Sequence, residues 1–194
     1  MSENVIYSIN GPVVTVKNAT AFSMLEMVYV GKKKLMGEVI SIKKEATTIQ
    51  VYESTTGLQP GDPVYPSAQP IQVTLGPGIL RNIFDGIERP LQAIARQSGA
   101  FIPTGSDVPA LDEEALWKVS IQVKCGDVLH GGAIYATLPE TELIEHRVMV
   151  PPYMEGEVIW CAQNGEYHIH DEIIHLKQKD GTIAKLTLCQ KWPI

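Results

Sequence analysis

The first part of the chain alternates short β-like runs with turn residues. Each run is rich in β-branched residues and is bounded by glycine, proline or polar turn signals, a pattern typical of strands. The runs are Val5–Ile9, Val13–Val16, Met36–Lys43, Thr47–Tyr52 and Val64-Tyr65. Several strands within about 70 residues indicate a small closed β-barrel, because closure removes exposed sheet edges.

The pattern then changes to a helical spacing. Apolar residues follow one another at three- and four-residue intervals, which predicts one face of a helix. They are Ile79, Leu80, Ile83, Phe84 and Ile87. Pro90 ends or kinks this helix, because proline has no N–H and crowds the preceding turn. A second short helix is predicted around Leu91, Ile94 and Ala95.

Period-2 alternation returns at Trp117 and continues almost to the end of the chain. Apolar Trp117, Val119, Ile121 and Val123 alternate with polar residues, as in a half-buried strand. Further strands are predicted at Ala133–Leu138, Ile144–Val150, Gly156–Ala162, Tyr167–Leu176 and Ile183–Leu188. Asp180-Gly181 favours a hairpin between the last two. We therefore predict a mainly β protein: an N-terminal barrel, a short helical connector and a second all-β module.

Composition and charge exclude several classes of protein. The 194 residues are 44% hydrophobic and 20% charged, too apolar for a disordered chain and enough for one or two domains. The formal net charge is −6, which disfavours electrostatic binding of nucleic acid. The one basic run, Lys32-Lys33-Lys34, is interpreted as a solvated loop tip.

Location is predicted from what the sequence lacks. No apolar stretch approaches the roughly 18–20 residues of a membrane helix. Met1-Ser2-Glu3-Asn4 has no basic region followed by an apolar one, so we expect no signal peptide. The three cysteines, Cys125, Cys161 and Cys189, are widely spaced, which favours reduced thiols in a cytoplasmic protein.

Catalytic motifs are also missing. The sequence has no P-loop, dinucleotide fingerprint, zinc-protease helix or nucleophile elbow. Gly76-Pro77-Gly78 lacks the lysine of a phosphate-binding loop, so we interpret it as a turn into a helix. Asp112-Glu113-Glu114 is interpreted as the first turn of a helix, where carboxylates suit the macrodipole.

The histidines and cysteines are the candidate metal ligands and nucleophiles. His168 and His170 fall on one face of a predicted strand, near Asp171, His175 and Cys161, but two ligands alone do not hold zinc. We expect these histidines at the surface, and no chemistry at His130 or His146. The cysteines are expected to be small buried hydrophobes. The sequence therefore offers no catalytic, cofactor-binding or metal-binding residue.

The second module also resembles the flattened barrels of biotinyl and lipoyl carriers. The resemblance lies in Val123–Gly132 and in Gly156-Glu157-Val158. A carrier needs a modifiable lysine at a hairpin tip, and Glu145–Val150 has none. The likeness is therefore architectural.

A wider resemblance runs through nearly the whole chain. The matching segments are Ile9–Val14, Leu35–Ile40, Ile49–Glu53, Thr56–Val64, Leu75–Leu80, Phe84–Leu91, Val108–Asp112, Pro139-Glu140-Thr141, Val148–Pro152 and Gln190–Pro193. In this order they resemble the N-terminal third of the catalytic A subunit of V-type and A-type rotary ATPases. No position matches the P-loop, the catalytic glutamate or the adenine-contacting aromatics of that family. We therefore expect no ATP hydrolysis by these residues alone.

The resemblance implies four parts and their partners. Residues 1–72 would be the crown barrel that joins B subunits in a hexamer, and residues 73–109 the start of the nucleotide-binding domain. Residues 110–186 would be the inserted bulge domain that contacts the peripheral stalk, and residues 187–194 a return strand. The parent subunit would bind ATP or ADP with Mg, couple it to proton or sodium transport, and lie in the cytoplasm, peripheral to the membrane.

Two further expectations concern packing and function. Phe84 and Ile87 would pack on a nucleotide-binding domain and be exposed without it. The alternative function is a standalone, non-catalytic binding or assembly protein built from the same two β modules.

Overall fold

The computed structural model describes residues 4–17, 21–99, 102–105 and 108–194. Residues 1–3, on which the signal-peptide prediction depends, lie outside this part. The described chain forms two compact units: the first takes residues from 1–73, 91–108 and 193–194, and the second is formed by 74–90 and 109–192. None of the helices in the described ranges is long and apolar enough to span a membrane.

The secondary structure is dominated by strands. In the first half they are β1 Ile6–Asn10, β2 Val13–Val16, β3 Glu26–Val30, β4 Leu35–Lys43, β5 Ala46–Val51, β6 Val64–Pro70 and β7 Gln72–Leu75. A 3₁₀ turn at Ile79–Arg81 and the α-helix α1 Leu91–Ser98 follow. The remaining strands are β8 Trp117–Ile121, β9 Val128–Leu129, β10 Ile134–Pro139, β11 Glu145–Met149, β12 Gly156–Cys161, β13 Gly165–Tyr167, β14 Ile174–Lys177, β15 Ile183–Leu186 and β16 Gln190–Pro193. The mainly β fold predicted from the sequence is confirmed.

The first unit is built on a six-stranded antiparallel sheet with the order β1-β2-β5-β4-β3-β6. Alternate residues of β3 are buried, which matches its period-2 sequence. The core is made of small β-branched and aliphatic side chains, among them Val14, Val28, Val39 and Ile49, all fully buried. This unit therefore has a hydrophobic core of its own.

Closure of this sheet differs from the expected barrel. The edge strands β1 and β6 form no continuous ladder with each other. An isolated bridge connects Val5 and Pro63, the residues just before them. Backbone hydrogen bonds support it, from Val64 N to Asn4 O at 2.7 Å and from Ile6 N to Asp62 O at 2.9 Å. Proline has no N–H to donate, so Pro63 limits how far the ladder extends.

The second unit contains two four-stranded sheets. Their orders are β11-β10-β8-β13 and β15-β14-β12-β9, with antiparallel pairing. The core between them includes Tyr135, Val158, Ile173 and Leu176, each fully buried. The hydroxyl of Tyr135 donates to the main-chain carbonyl of Thr187. β7 and β16 form a separate two-stranded sheet.

The helix predicted across Ile79–Ile87 is wrong, whereas the one starting at Leu91 is confirmed. Only Ile79–Arg81 is helical, and it forms a single 3₁₀ turn. The reason lies in Asp85, whose carboxylate accepts the main-chain N–H groups of Ile87 and Arg89. Such side-chain bonds offer the backbone an alternative to the helix.

Candidate functional site in the anchored segment

Residues 74–90, here called the anchored segment, belong to the second unit and are held by hydrogen bonds to three carboxylates. The segment begins with a buried Gly-Pro turn. A Cβ at Gly76 would lie 2.9 Å from both Cys189 Cβ and Leu111 Cδ1, so only glycine fits there. Gly78 has φ +96°, a left-handed conformation that glycine adopts without strain. Gly76-Pro77-Gly78 is therefore a packed turn, as predicted, although it leads into a 3₁₀ turn.

Glu140 is the group that holds this turn. It follows β10 and its side chain is fully buried. Its Oε1 accepts the main-chain N–H of Gly78 at 2.7 Å and lies 3.4 Å from that of Leu80. The guanidinium Nη2 of Arg81 donates to the main-chain carbonyl of Glu140 at 2.9 Å. A buried charge needs such donors, because desolvation otherwise destabilises it.

The second carboxylate oxygen of Glu140 faces a histidine. Oε2 lies 3.1 Å from Nδ1 of His146 on β11. Among the described residues, that oxygen has no well-formed hydrogen bond. Burial lowers the pKa of His146, although the neighbouring Glu140 acts in the opposite direction. The carboxylate of Glu140 thus contacts the imidazole of His146 as well as the turn at Gly78.

Two further carboxylates fix the rest of the anchored segment. Asp85 accepts bonds from Ile87 N, Arg89 N and Arg89 Nε, the last at 2.7 Å. Burial opposes ionisation of Asp85, but the bonds from Arg89 and Ile87 outweigh it and lower its pKa. Glu88, at φ +62°, accepts the N–H of Thr74 with both oxygens. Burial raises the pKa of Glu88.

The anchored segment presents an apolar face to solvent, but through other residues than those predicted. Leu80 and Ile83 are each 58% exposed, large values for such side chains. Phe84 and Ile87, expected to be exposed, are half-buried. The irregular backbone around Asp85 changes which side chains point outward, so the helical spacing predicted the wrong pair.

The histidines considered as metal ligands do not share a strand face. The chain turns between His168 and Asp171, whose carboxylate accepts the N–H of His168 at 2.7 Å. The predicted strand through these residues is therefore wrong. His170 instead lies 3.0 Å from Glu113 and 3.5 Å from Cys189 Sγ. Within the described ranges, no group of three or more His, Cys, Asp and Glu residues is arranged to hold a metal ion.

The other candidate side chains take various positions. His130 lies 3.2 Å from Glu155, and His175 lies 2.7 Å from Glu172. The His175 ring also contacts the Trp160 ring, with centroids 4.6 Å apart and planes tilted by 35°. Cys125 is exposed in a turn, contrary to the expected burial, whereas Cys161 and Cys189 are half-buried.

The two charged runs both lie in turns. Lys32, Lys33 and Lys34 are exposed in the turn after β3, as predicted. Asp112-Glu113-Glu114 forms a turn, not the helix start expected. Asp112 Oδ1 accepts the N–H of Glu114 at 3.0 Å, which closes this turn locally.

Glu140 was not predicted as a functional residue. The sequence shows one carboxylate after a strand, with no partner at a characteristic spacing. The groups it binds lie about 60 residues away, so only the fold brings them together.

Comparison with known proteins adds two family matches. Residues 6–67 match the model of the ATP synthase alpha/beta family, beta-barrel domain. Residues 108–194 match the model of the ATPsynthase alpha/beta subunit barrel-sandwich domain. The first match covers most of the six-stranded sheet and the second covers both four-stranded sheets.

Three relatives illustrate the similarity. The chain is 48% identical over 97% of its length to the V-type ATP synthase alpha chain of Halothermothrix orenii. It is 45% identical over 97% of its length to the A subunit of the A-type ATP synthase of Methanopyrus kandleri. It is 41% identical over its full length to the catalytic A subunit of the V-type proton ATPase of Cyanidium caldarium. The chain spans about a third of the length of these relatives, 32%, 32% and 33% respectively.

Proposed function

Because the chain belongs to the ATP synthase alpha/beta family and corresponds to an N-terminal portion of the V-type and A-type catalytic chains, we propose that it serves a non-catalytic role within such a protein. The whole subunit would couple ATP hydrolysis or synthesis to proton or sodium transport. ATP or ADP and Mg would bind in parts of the subunit that these residues do not represent. The assembly would lie at the cytoplasmic face of a membrane, peripheral to it.

The two β modules would contact different subunits of the assembly. Residues 1–72 would join B subunits in the crown of a hexamer. Residues 110–186 would form the bulge domain that contacts the peripheral stalk, and residues 187–194 would return toward the nucleotide-binding domain. Exposed Ile159, Trp160, Met149 and Tyr153 support a contact role for the bulge.

The anchored segment is the observation that carries the proposal. Three carboxylates accept main-chain N–H groups of the segment, while Leu80 and Ile83 stay exposed. A rigid loop with an outward apolar pair suits docking on a further domain of the same subunit, since exposed apolar side chains gain free energy when covered. Residues 73–109 would then begin the nucleotide-binding domain. No observation favours the alternative of an independent assembly protein.

A chimera tests this proposal. The aligned part of the Halothermothrix orenii alpha chain is replaced with this sequence, and the product is mixed with B subunits of that enzyme. Native mass spectrometry is expected to detect the alternating hexamer. The double variant Leu80→Asp/Ile83→Asp is expected to lower the hexamer yield at least about tenfold, since charges would replace the apolar contact.

Leu143→Asp is the matched control, because Leu143 is 96% exposed and lies outside the anchored segment. This variant is expected to assemble like the unmodified chimera. The proposal is contradicted if a folded chimera stays unassembled. The role of the anchored segment is contradicted if the double variant and the control assemble equally well.

A further inference from the structure

The chain contains two Asn-Gly dipeptides, Asn10-Gly11 in the first unit and Asn164-Gly165 in the second. Asparagine is chemically labile before glycine, because glycine has no Cβ to hinder its main-chain nitrogen. That nitrogen can attack the side-chain carbonyl of the preceding asparagine. The sequence therefore offers two candidate sites of spontaneous modification, and the fold treats them differently.

Asn10-Gly11 lies at the tip of the β1–β2 hairpin. Asn10, Gly11 and Pro12 are exposed, and Asn10 pairs with Val13 across the turn. Gly11 has φ +58°, and a Cβ there would meet no atom within 4 Å. Among the described residues, neither the side-chain amide of Asn10 nor the main-chain N–H of Gly11 has a hydrogen-bond partner. Both reacting groups are therefore open to water.

The turn is tethered through its carbonyl groups instead. The hydroxyl of Thr55 donates to the main-chain carbonyl of Gly11 at 2.8 Å. The N–H of Val51 donates to the main-chain carbonyl of Pro12, also at 2.8 Å. These bonds hold the turn at the end of β5 without using the nitrogen of Gly11, so they leave the reacting groups unblocked.

The second dipeptide has the same residues in more restrained surroundings. Asn164 Oδ1 accepts the main-chain N–H of Ile121 at 2.8 Å, which holds the side chain against β8. Gly165 begins β13, and a Cβ there would lie 3.4 Å from the ring of Tyr167. The hydroxyl of Tyr167 donates to the main-chain carbonyl of Gln163 at 2.8 Å, which fixes that ring. Attack at Asn164 therefore requires these contacts to open.

We propose that Asn10 is a site of spontaneous deamidation with water as the co-reactant, whereas the fold protects Asn164. The nitrogen of Gly11 attacks Cγ of Asn10 and loses its proton, the Cγ–N bond of the side-chain amide breaks, and ammonia leaves. Water then opens the resulting cyclic imide at either carbonyl, which gives aspartate or isoaspartate. In total, one water is consumed and one ammonia is released.

The products change the tip of the hairpin. Either product replaces a neutral amide with a negative charge, and isoaspartate also adds one methylene to the main chain. The added methylene lies between Asn10, which pairs with Val13, and the carbonyl of Gly11, which Thr55 holds. The turn must therefore change shape when isoaspartate forms.

The test is incubation of the full chain in mildly alkaline buffer, followed by peptide mapping with mass spectrometry. Each conversion raises the mass of a peptide by about 1 Da, because an amide becomes a carboxyl group. We expect Asn10 to convert at least about tenfold faster than Asn164 in the folded chain. In urea that unfolds the chain, the two sites should convert at comparable rates, because the difference comes from the fold.

Asn10→Gln is the matched control, since its side chain is one methylene longer and closes the ring more slowly. It also separates conversion at residue 10 from conversion at Asn4, which lies in the same tryptic peptide. This peptide should keep its mass in the variant. The inference is overturned if Asn10 and Asn164 convert equally fast in the folded chain, or if Asn10 converts only in urea. It is equally overturned if their rates differ as much in urea, or if the variant peptide still gains mass.

Discussion

Replacement of Glu140 with alanine is expected to lower the free energy of unfolding of the second unit by about 2–4 kcal/mol. The substitution removes the buried acceptor of the Gly78 N–H, a bond of 2.7 Å, and leaves that donor without its partner. It also removes the carboxylate that lies 3.1 Å from His146. The Arg81 contact survives, because it uses the main-chain carbonyl of residue 140. Urea denaturation measures the change, and hydrogen exchange at Gly78 should accelerate.

Glu142→Ala is the matched control for this prediction. Glu142 is the same residue type two positions later and is exposed. Its replacement should change the unfolding free energy by no more than about 0.5 kcal/mol. If Glu140→Ala and Glu142→Ala are equally stable, Glu140 does not anchor residues 74–90.

Gly156→Ala is expected to destabilise the same unit by about 3 kcal/mol, through steric overlap with the backbone. Gly156 opens β12, between β9 and β14, and it is buried. A Cβ at this position would lie 2.5 Å from the carbonyl oxygen of Lys177 and 2.9 Å from its carbonyl carbon. These are main-chain atoms of β14, so relief requires the two strands to separate. Thermal unfolding followed by circular dichroism measures the loss.

The control is Gly86→Ala, in the same unit. A Cβ there would meet no atom within 4 Å, and the residue has no positive φ. We expect a change within about 0.5 kcal/mol, or a slight stabilisation, because alanine reduces the entropy of the unfolded chain. A result in which Gly156→Ala is as mild as Gly86→Ala would mean that β12 and β14 do not approach as closely as described.

The strands could be predicted because burial on one side of a sheet leaves a local pattern. Trp117–Ile121 alternates in sequence and forms β8. The helix predicted over Ile79–Ile87 is absent because hydrogen bonds to the Asp85 carboxylate determine the backbone conformation there. The spacing of apolar residues carries no information about such bonds. The strand predicted through His168 was wrong for the same reason, because the carboxylate of Asp171 accepts the N–H of His168 and closes a turn.

The functional features depend on contacts distant in sequence. Glu140 meets Gly78 across 62 positions and Leu80 across 60. No single-sequence pattern encodes such pairs, because each residue alone looks ordinary. The family resemblance could be predicted from the sequence, because it rests on many matching segments in the same order. The matches over residues 6–67 and 108–194 confirm it.

The central claim is that this sequence supplies a working structural part of a catalytic chain, whose catalytic groups lie elsewhere. The rate of ATP hydrolysis by the purified chimeric hexamer tests this claim most directly. If the claim holds, the rate should lie within about tenfold of the unmodified Halothermothrix orenii enzyme, a difference of about 1.4 kcal/mol in the activation barrier. A fully assembled hexamer with less than about a hundredth of that rate would contradict this role.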